Sequence, residues 1–296
     1  MSKRKYEHLV KKLNVRKGPG GVLPKEVIWL NSQNLEGIQI NFGGGTHTTI
    51  GAAEKPQVHK YDEVLFLLGL DSNDLAYLGA EVAMELGEEQ EEHIVNESVI
   101  TVVPKGLPHG PSAILRMDKP FRTLHLLLAP DWQIDWIPEE RKRPKTKGDK
   151  YTHLIKPLRG RIISPVKKGV GPGNADQLVW FHGKDLEGLE LNFTWGVYSG
   201  CGTWHREEGK SMAHTHPYDE IIILLGMDPD NLSYLGAEIE MDMGSEHERY
   251  IVNESSVVIC PKELPHGPVT TRWVDKPFGC FVISLSSEYK ANWVEY

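Results

Sequence analysis

Cysteine is scarce in this 296-residue chain. Cys201, Cys260 and Cys280 are too few and too scattered for a disulfide framework or a paired-cysteine metal site, and an odd number of free thiols fits a reducing compartment. Long apolar runs are missing as well. No stretch approaches the roughly 18–20 residues that a membrane helix needs, so no span is expected. A basic surplus is also absent: 33 Lys and Arg stand against 41 Asp and Glu, a formal net charge of −8, without the positive field that draws a chain to nucleic acid or anionic lipid. The start of the chain is basic, but Lys11, Lys12, Arg16 and Lys17 fall where a signal peptide would need its apolar core. The expectation is a cytoplasmic protein whose partners are small molecules rather than nucleic acid or membrane. Helix signals are few, the best covering residues 3–13, where Tyr6, Leu9, Val10 and Leu13 are spaced for one helical face.

What the chain does contain is an internal duplication. Tyr61-Asp62-Glu63 recurs as Tyr218-Asp219-Glu220, and Leu107-Pro108-His109-Gly110-Pro111 as Leu264-Pro265-His266-Gly267-Pro268, both at an offset of 157 residues. Leu35-Glu36-Gly37 with Asn41-Phe42 is matched by Leu186-Glu187-Gly188 with Asn192-Phe193, so each copy is the size of a domain. Two copies of this length are tandem domains rather than solenoid repeats. The expected division is an N-terminal arm over residues 1–20, a first domain over 21–136, a polar linker over 137–165 and a second domain over 166–296. The basic run in the linker, Arg141-Lys142-Arg143-Pro144-Lys145, lacks aromatic interleaving and reads as a solvated connection.

Within each copy the pattern is that of strands. Ala237, Ile239, Met241 and Met243 alternate with Glu238, Glu240 and Asp242, and Ala80, Val82, Met84 and Leu86 with Glu81, Ala83 and Glu85, the period of half-buried strands. Short apolar runs at 64–68, 124–128, 221–225, 257–260 and 281–283 read as strands covered on both faces. Something must cover them, so packing between the halves or a homodimer is expected. The fold class is therefore all-β, a sandwich or barrel in each half with little helix.

The second copy carries His214-Thr215-His216 and Glu220, then His266 some forty residues later. In an extended chain His214 and His216 project to one face, Glu220 keeps that parity, and a neighbouring strand can bring His266 opposite. Three imidazoles and a carboxylate suit a divalent transition ion such as iron, manganese, nickel, cobalt, copper or zinc. The first copy keeps His59, Glu63 and His109 but has Gln57 where the second has His214, a poorer donor, so a second site there should be weaker. His47 is a candidate to replace the missing imidazole.

The pattern HxHxxxE with a following Gly226, and then PxxxxH over Pro261–His266, resembles the cupins, and its duplication resembles the bicupins. That resemblance implies a double-stranded β-helix jelly roll in each half, with His214, His216, Glu220 and His266 as the metal ligands. It also implies precedents in dioxygenases, decarboxylases and isomerases. The family's second segment usually reads PxGxxH; the first copy has Gly106 there, but the second has Glu263, which puts the turn geometry in question. Three histidines and a glutamate resemble the redox-active members, which favours iron and a dioxygenase acting on a small carboxylate or carbonyl compound. A non-redox isomerase, decarboxylase or lyase is the alternative, and a non-enzymatic small-molecule binder a further one.

Around the metal, a regular strand after His266 would turn Thr270 and Arg272 inward, making Arg272 a candidate for a substrate carboxylate. A bulge would reverse this. The second copy also has six more residues than the first between its Asn-Phe and its first ligand, in a segment rich in Gly and aromatics that includes Tyr198, Trp204 and His205. This segment either lines the barrel mouth, with His205 moving protons, or forms a contact with another domain or subunit. Tyr218, between the ligands, is a candidate catalytic or hydrogen-bonding residue.

Overall fold

Alternation of apolar and polar side chains lets a strand bury one face, and two such sheets must stack to cover it. A computed structural model shows this outcome, describing residues 4–21, 23–52, 55–137, 148–163, 174–204 and 213–294. The chain divides into two compact units, Asn14–Gly160 and a second made of Met1–Leu13 with Arg161–Tyr296. Each contains two antiparallel sheets. In the first unit the strands Glu63–Gly69, Val99–Val103, Phe121–Leu127 and Asn41–His47 belong to one sheet, and Tyr77–Leu86, Glu91–Glu97 and His109–Met117 to the other. Leu67, Val99 and Phe121 from the first meet Met84, Val82 and Ile114 from the second in one apolar core. The second unit repeats the plan, with Glu220–Gly226, Ser256–Cys260, Phe278–Ser284 and Asn192–Tyr198 in one sheet and Ala237–Met243, Glu248–Val252 and His266–Val274 in the other. Among the described residues no helix is long and apolar enough to cross a membrane.

The segment expected to be helical is not. Glu7–Leu9 makes a single 3-10 turn and Val10–Lys12 then extends to pair antiparallel with Ser256–Val258. An exposed sheet edge offers a row of backbone partners that outweighs the weak helical spacing of a short segment. The linker behaves likewise: its basic core lies outside the described residues, but Thr152–Leu154 forms a 3-10 turn and Ile155–Pro157 pairs with Val99–Thr101 of the first unit. The two arms are themselves a repeat, Tyr6-Glu7-His8-Leu9-Val10-Lys11 against Tyr151-Thr152-His153-Leu154-Ile155-Lys156. Each arm thus completes the sheet of the unit that lies farther along or behind in sequence, rather than the barrel it directly precedes. That is why the unit boundaries, after Leu13 and after Gly160, fall within the expected arm and linker, with part of each segment assigned to either unit.

Each arm is pinned by its tyrosine. Tyr6 is buried, its hydroxyl donates to Glu246 at 2.7 Å, and its ring lies so close over Gly244 that a Cβ there would come within 2.2 Å. Tyr151 sits on Gly87 in the same way, donating to Glu89 at 2.9 Å. Tyr6→Ala removes a buried aromatic and the hydrogen bond and should lower the unfolding free energy by about 3 kcal/mol. A denaturant titration followed by fluorescence checks this; an unchanged midpoint would show that the arm contributes nothing.

Candidate metal centre

The second unit gathers its four candidate ligands from three strands and the residue that follows the first of them. His214 opens the short strand His214–Thr215 and pairs directly with His266, the first residue of His266–Val274, while Glu220 begins Glu220–Gly226 in the facing sheet. His216 follows two residues after His214, as the parity argument requires. One ligand atom from each of the four lies within 4.8 Å of the others, and all four residues are buried. His216 Nε2 is 3.2 Å from Glu220 Oε2 and His266 Nε2 3.3 Å from Glu220 Oε1.

The far nitrogens explain the orientation of the rings. His216 Nδ1 lies 2.6 Å from the Lys290 carbonyl and His266 Nδ1 3.0 Å from that of Leu264, so each Nδ1–H donates outward and leaves Nε2 with its lone pair facing Glu220. Neither Nε2 makes a hydrogen bond of good geometry, although both are buried. Buried polar atoms left in this state are costly, and a divalent cation on the lone pairs satisfies them together with the carboxylate. The residues therefore fit the ion that the spacing implies. The turn before His266 survives without its glycine: Glu263 adopts φ 62° where Gly106 has φ 79°, and both donate a backbone N–H to the ligand histidine's carbonyl, at 2.8 Å and 2.7 Å. A non-glycine residue there costs about 1–2 kcal/mol, and the ligand position is kept.

Electrostatics in the metal-free protein follow from this arrangement. Burial alone would raise the Glu220 carboxyl, but without a metal the facing Nε2 atoms of His216 and His266, where they carry a second proton, bring charge and a donor to it and hold it well below its ordinary 4.5. Burial likewise opposes charge on His266, yet Cys260 and Glu220 beside it raise it well above 6.5. A depressed carboxyl stabilises the fold above about 4.5, and this is lost as pH falls through the folded value. A raised imidazole stabilises below about 6.5, and this is lost as pH rises through its folded value. Chelator-treated protein should thus be most stable between roughly pH 4.5 and 6.5, and adding metal should remove the loss on the alkaline side. Thermal unfolding midpoints from pH 4 to about 9, with and without metal, check both statements.

The first unit assembles a related but altered group. His59, Glu63 and His109 are buried and their ligand atoms converge. His59 Nε2 is 3.1 Å and His109 Nε2 3.3 Å from Glu63 Oε2. Gln57 pairs with His109 and its Nε2 lies 3.0 Å from His109 Nε2, occupying the lone pair a metal would use. His47 does not supply the missing imidazole: it stacks on Phe121 at 5.1 Å. The added histidine is His125, whose Nδ1 is 2.5 Å from Glu63 Oε1. Its place inside the run Leu124-His125-Leu126 concealed it, although an imidazole between two leucines on an otherwise apolar strand was the available signal.

Two candidates around the second site, Arg272 and Tyr218, lie elsewhere. Arg272 does not face inward. It is exposed and 3.2 Å from Glu240, because two bulges interrupt the strand: His266 pairs with Met243 and Val269 with Met241, then Thr271 with Ile239 and Trp273 with Glu238. The first extra residue reverses the parity, so Thr271 is buried and Arg272 is left on the outer face. Tyr218 is not on the cavity wall. Its hydroxyl donates to the Lys290 carbonyl at 3.1 Å and accepts from the Lys290 N–H at 2.7 Å, while its ring stacks on His216 at 5.3 Å. It braces the His216 ring. His205 lies outside the described residues.

The interior beside the four ligands is small, about 40 Å³. Trp204 of the longer segment enters it, buried, with its Nε1–H donating to Thr271 at 2.9 Å. Asn192, Thr194, Ser284 and Tyr289 supply neutral polar groups to the wall. The Thr194 hydroxyl is buried without a hydrogen-bond partner, and Ser284 donates to Glu220 at 3.0 Å. Burial, with the Glu220 charge adding to it, pushes the Tyr289 phenol far up, so it stays protonated. Tyr289 was not singled out by the sequence, where it stands in the unremarkable Ser286-Ser287-Glu288-Tyr289.

No protein-family model matches this sequence, and no curated protein matches it. Solved structures do. Two single-site mutants of Bacillus subtilis oxalate decarboxylase superpose with TM-scores of 0.60 and 0.59 at 11% identity, each over 95% of this chain and 77% of theirs. A deletion mutant of the same enzyme gives 0.58 at 12% identity with the same coverage. At such identity the likeness concerns the path of the backbone and not the chemistry. Joined to the internal duplication, the paired antiparallel sheets of each unit and the His and Glu groups set inside both, it makes the chain a bicupin in fold.

Proposed function

We propose that the second unit is a divalent-metal centre that removes carbon dioxide from a small carboxylate. The observation that carries this reading is the closed set of four buried ligands beside a cavity of only about 40 Å³, room for a few water-sized groups and for no substrate much larger than a two- or three-carbon acid. The solved structures that share this fold are those of an oxalate decarboxylase, which supports the same class.

An ion held by His214, His216, Glu220 and His266 would supply Lewis acidity and a fixed point for a carboxylate oxygen. The chain's own groups do the rest. Among the described lining residues there is neither Lys nor Arg, so the second carboxylate meets neutral donors, with the Thr194 hydroxyl and the Asn192 amide as candidates. Trp204, Trp180 and Val282 exclude water, which strengthens each of these hydrogen bonds. Tyr289, on the cavity wall and held protonated by burial, is the candidate donor of a proton to the carbon from which carbon dioxide departs. Tyr218 and the Lys290 carbonyl keep His216 in the tautomer that presents Nε2.

The first unit is a weaker metal site in this reading, since Gln57 meets the lone pair of His109 and His125 holds one oxygen of Glu63. The three-imidazole, one-carboxylate donor set also supports a second reading, an iron-dependent dioxygenase. One experiment separates the two. Metal-reconstituted protein is given oxalate under nitrogen and under air, with carbon dioxide, formate and dissolved oxygen measured. Carbon dioxide and formate in equal amounts, without stoichiometric oxygen uptake, supports decarboxylation. Turnover of a small carboxylate only with stoichiometric oxygen uptake supports the dioxygenase, and no turnover of two- or three-carbon acids overturns the decarboxylase reading.

A further inference from the structure

The two barrels differ most in how their interiors are filled. In the second, Trp204 lines the space beside the ligands, and Tyr198 backs it, stacking on Trp204 at 4.4 Å and on Phe278 at 5.2 Å. At the matching positions the first barrel has His47 for Tyr198 and Gly43 for Thr194, and its shorter segment has no residue matching Trp204. Gly43 lets the Trp29 indole lie flat against the strand, where a Cβ would come within 2.4 Å of the ring. The result is a cavity of about 680 Å³, in the range of small-molecule sites and far larger than its counterpart.

The walls of this cavity say what it would take. Trp29 and Trp132 form an aromatic corner with ring centres 4.4 Å apart, and Trp136 lines another part of the wall. His125, 5.2 Å from Trp132, and Gln57 are polar points on the same wall. No Asp or Glu is among the described lining residues, and Lys55 is their one formal cation. Glu63, which lies behind His125, is fully buried and has His59, His109 and His125 within 3.3 Å, so its charge is met inside the protein. Indole faces offer large, flat contact area to a conjugated ring, and a lysine at an apolar cavity without acids favours an anion.

We propose that the first barrel is a binding site for a flat conjugated ring bearing an anionic group, an aromatic carboxylate being the simplest case. Its ligand is thus of a different size and kind from the two- or three-carbon acid of the second barrel, and its binding needs no metal there.

The probes are 2-naphthoate and its neutral analogue 2-naphthylmethanol, titrated calorimetrically into the full chain, metal-loaded and chelator-treated, with oxalate present to occupy the second barrel. The expected result is one equivalent of 2-naphthoate bound under both conditions. His47→Tyr, which places in the first barrel the ring that fills the second, should weaken it by about tenfold or more. Lys55→Gln, a change at an exposed side chain that leaves the fold intact, should weaken 2-naphthoate by about fivefold and leave 2-naphthylmethanol within about twofold. Absence of saturable 2-naphthoate binding up to about 5 mM would overturn the proposal. So would 2-naphthylmethanol binding as tightly as 2-naphthoate, or an affinity unmoved by Lys55→Gln. The outcome is independent of whether oxalate turns over, so the failure of either reading is visible separately.

Discussion

His216→Ala should leave the second barrel folded and strip it of metal. Four protein ligands share a binding free energy that in structural sites is about 10–16 kcal/mol, so removing one costs on the order of 3 kcal/mol, a loss of roughly 100- to 1,000-fold in affinity. Elemental analysis of protein purified without chelator should find about one equivalent in the parent and none in the variant, and the proposed release of carbon dioxide from oxalate should be lost alongside. His59→Ala is the comparison that gives this meaning. His59 belongs to the group in which Gln57 replaces an imidazole and His125 engages Glu63, so its loss should leave the tight equivalent in place. Two tight equivalents lost separately would show that the altered group binds as well as the complete one. An unchanged metal content in His216→Ala would remove the four-ligand centre altogether.

Trp204→Ala carries the second large effect. The indole is 2% exposed, stacks on Tyr198 and donates to Thr271. Its removal leaves a cavity and an unpaired hydroxyl, which together cost about 3–5 kcal/mol, a large part of the stability of an ordinary domain. The same change opens the second barrel, so longer dicarboxylates should be bound and the turnover of oxalate should fall as water enters. Calorimetric unfolding and a substrate series from oxalate to adipate check the two halves of this prediction. A stability loss with no change in the series would mean that the indole is structural only.

Much of this molecule was legible because its information is periodic. Alternation at 80–86 and 237–243 marked strands, and the spacing of His214, His216, Glu220 and His266 marked a common face, since both depend only on the two-residue repeat of an extended chain. What escaped was whatever interrupts that repeat. The bulges in His266–Val274 moved Arg272 from the cavity to solvent, and no side-chain pattern announces an extra residue in a ladder. The arm Val10–Lys12 was unreadable for another reason: three residues are too short to show any period, and their conformation is set by the edge they meet. His125 and Tyr289 were hidden by their surroundings, one within leucines and the other in a polar turn, and only the folded chain shows what each lies beside.

The exchanged arms bear on how such a chain is made. Val10–Lys12 leaves the ribosome well before its partners at Ser256–Val258, which are synthesised some 240 residues later. The first barrel needs Ile155–Pro157 but little beyond it, so it can close while the second is still being translated. The N-terminal segment meanwhile waits with an apolar tyrosine and leucine unburied, open to chaperones and to proteases. Final assembly of the second barrel then stitches an early segment to one made some 240 residues later, a pairing of very long contact order that sets a late and slow step. Separately expressed halves cut near residue 150 would each lack an edge strand, and would be complemented only by each other.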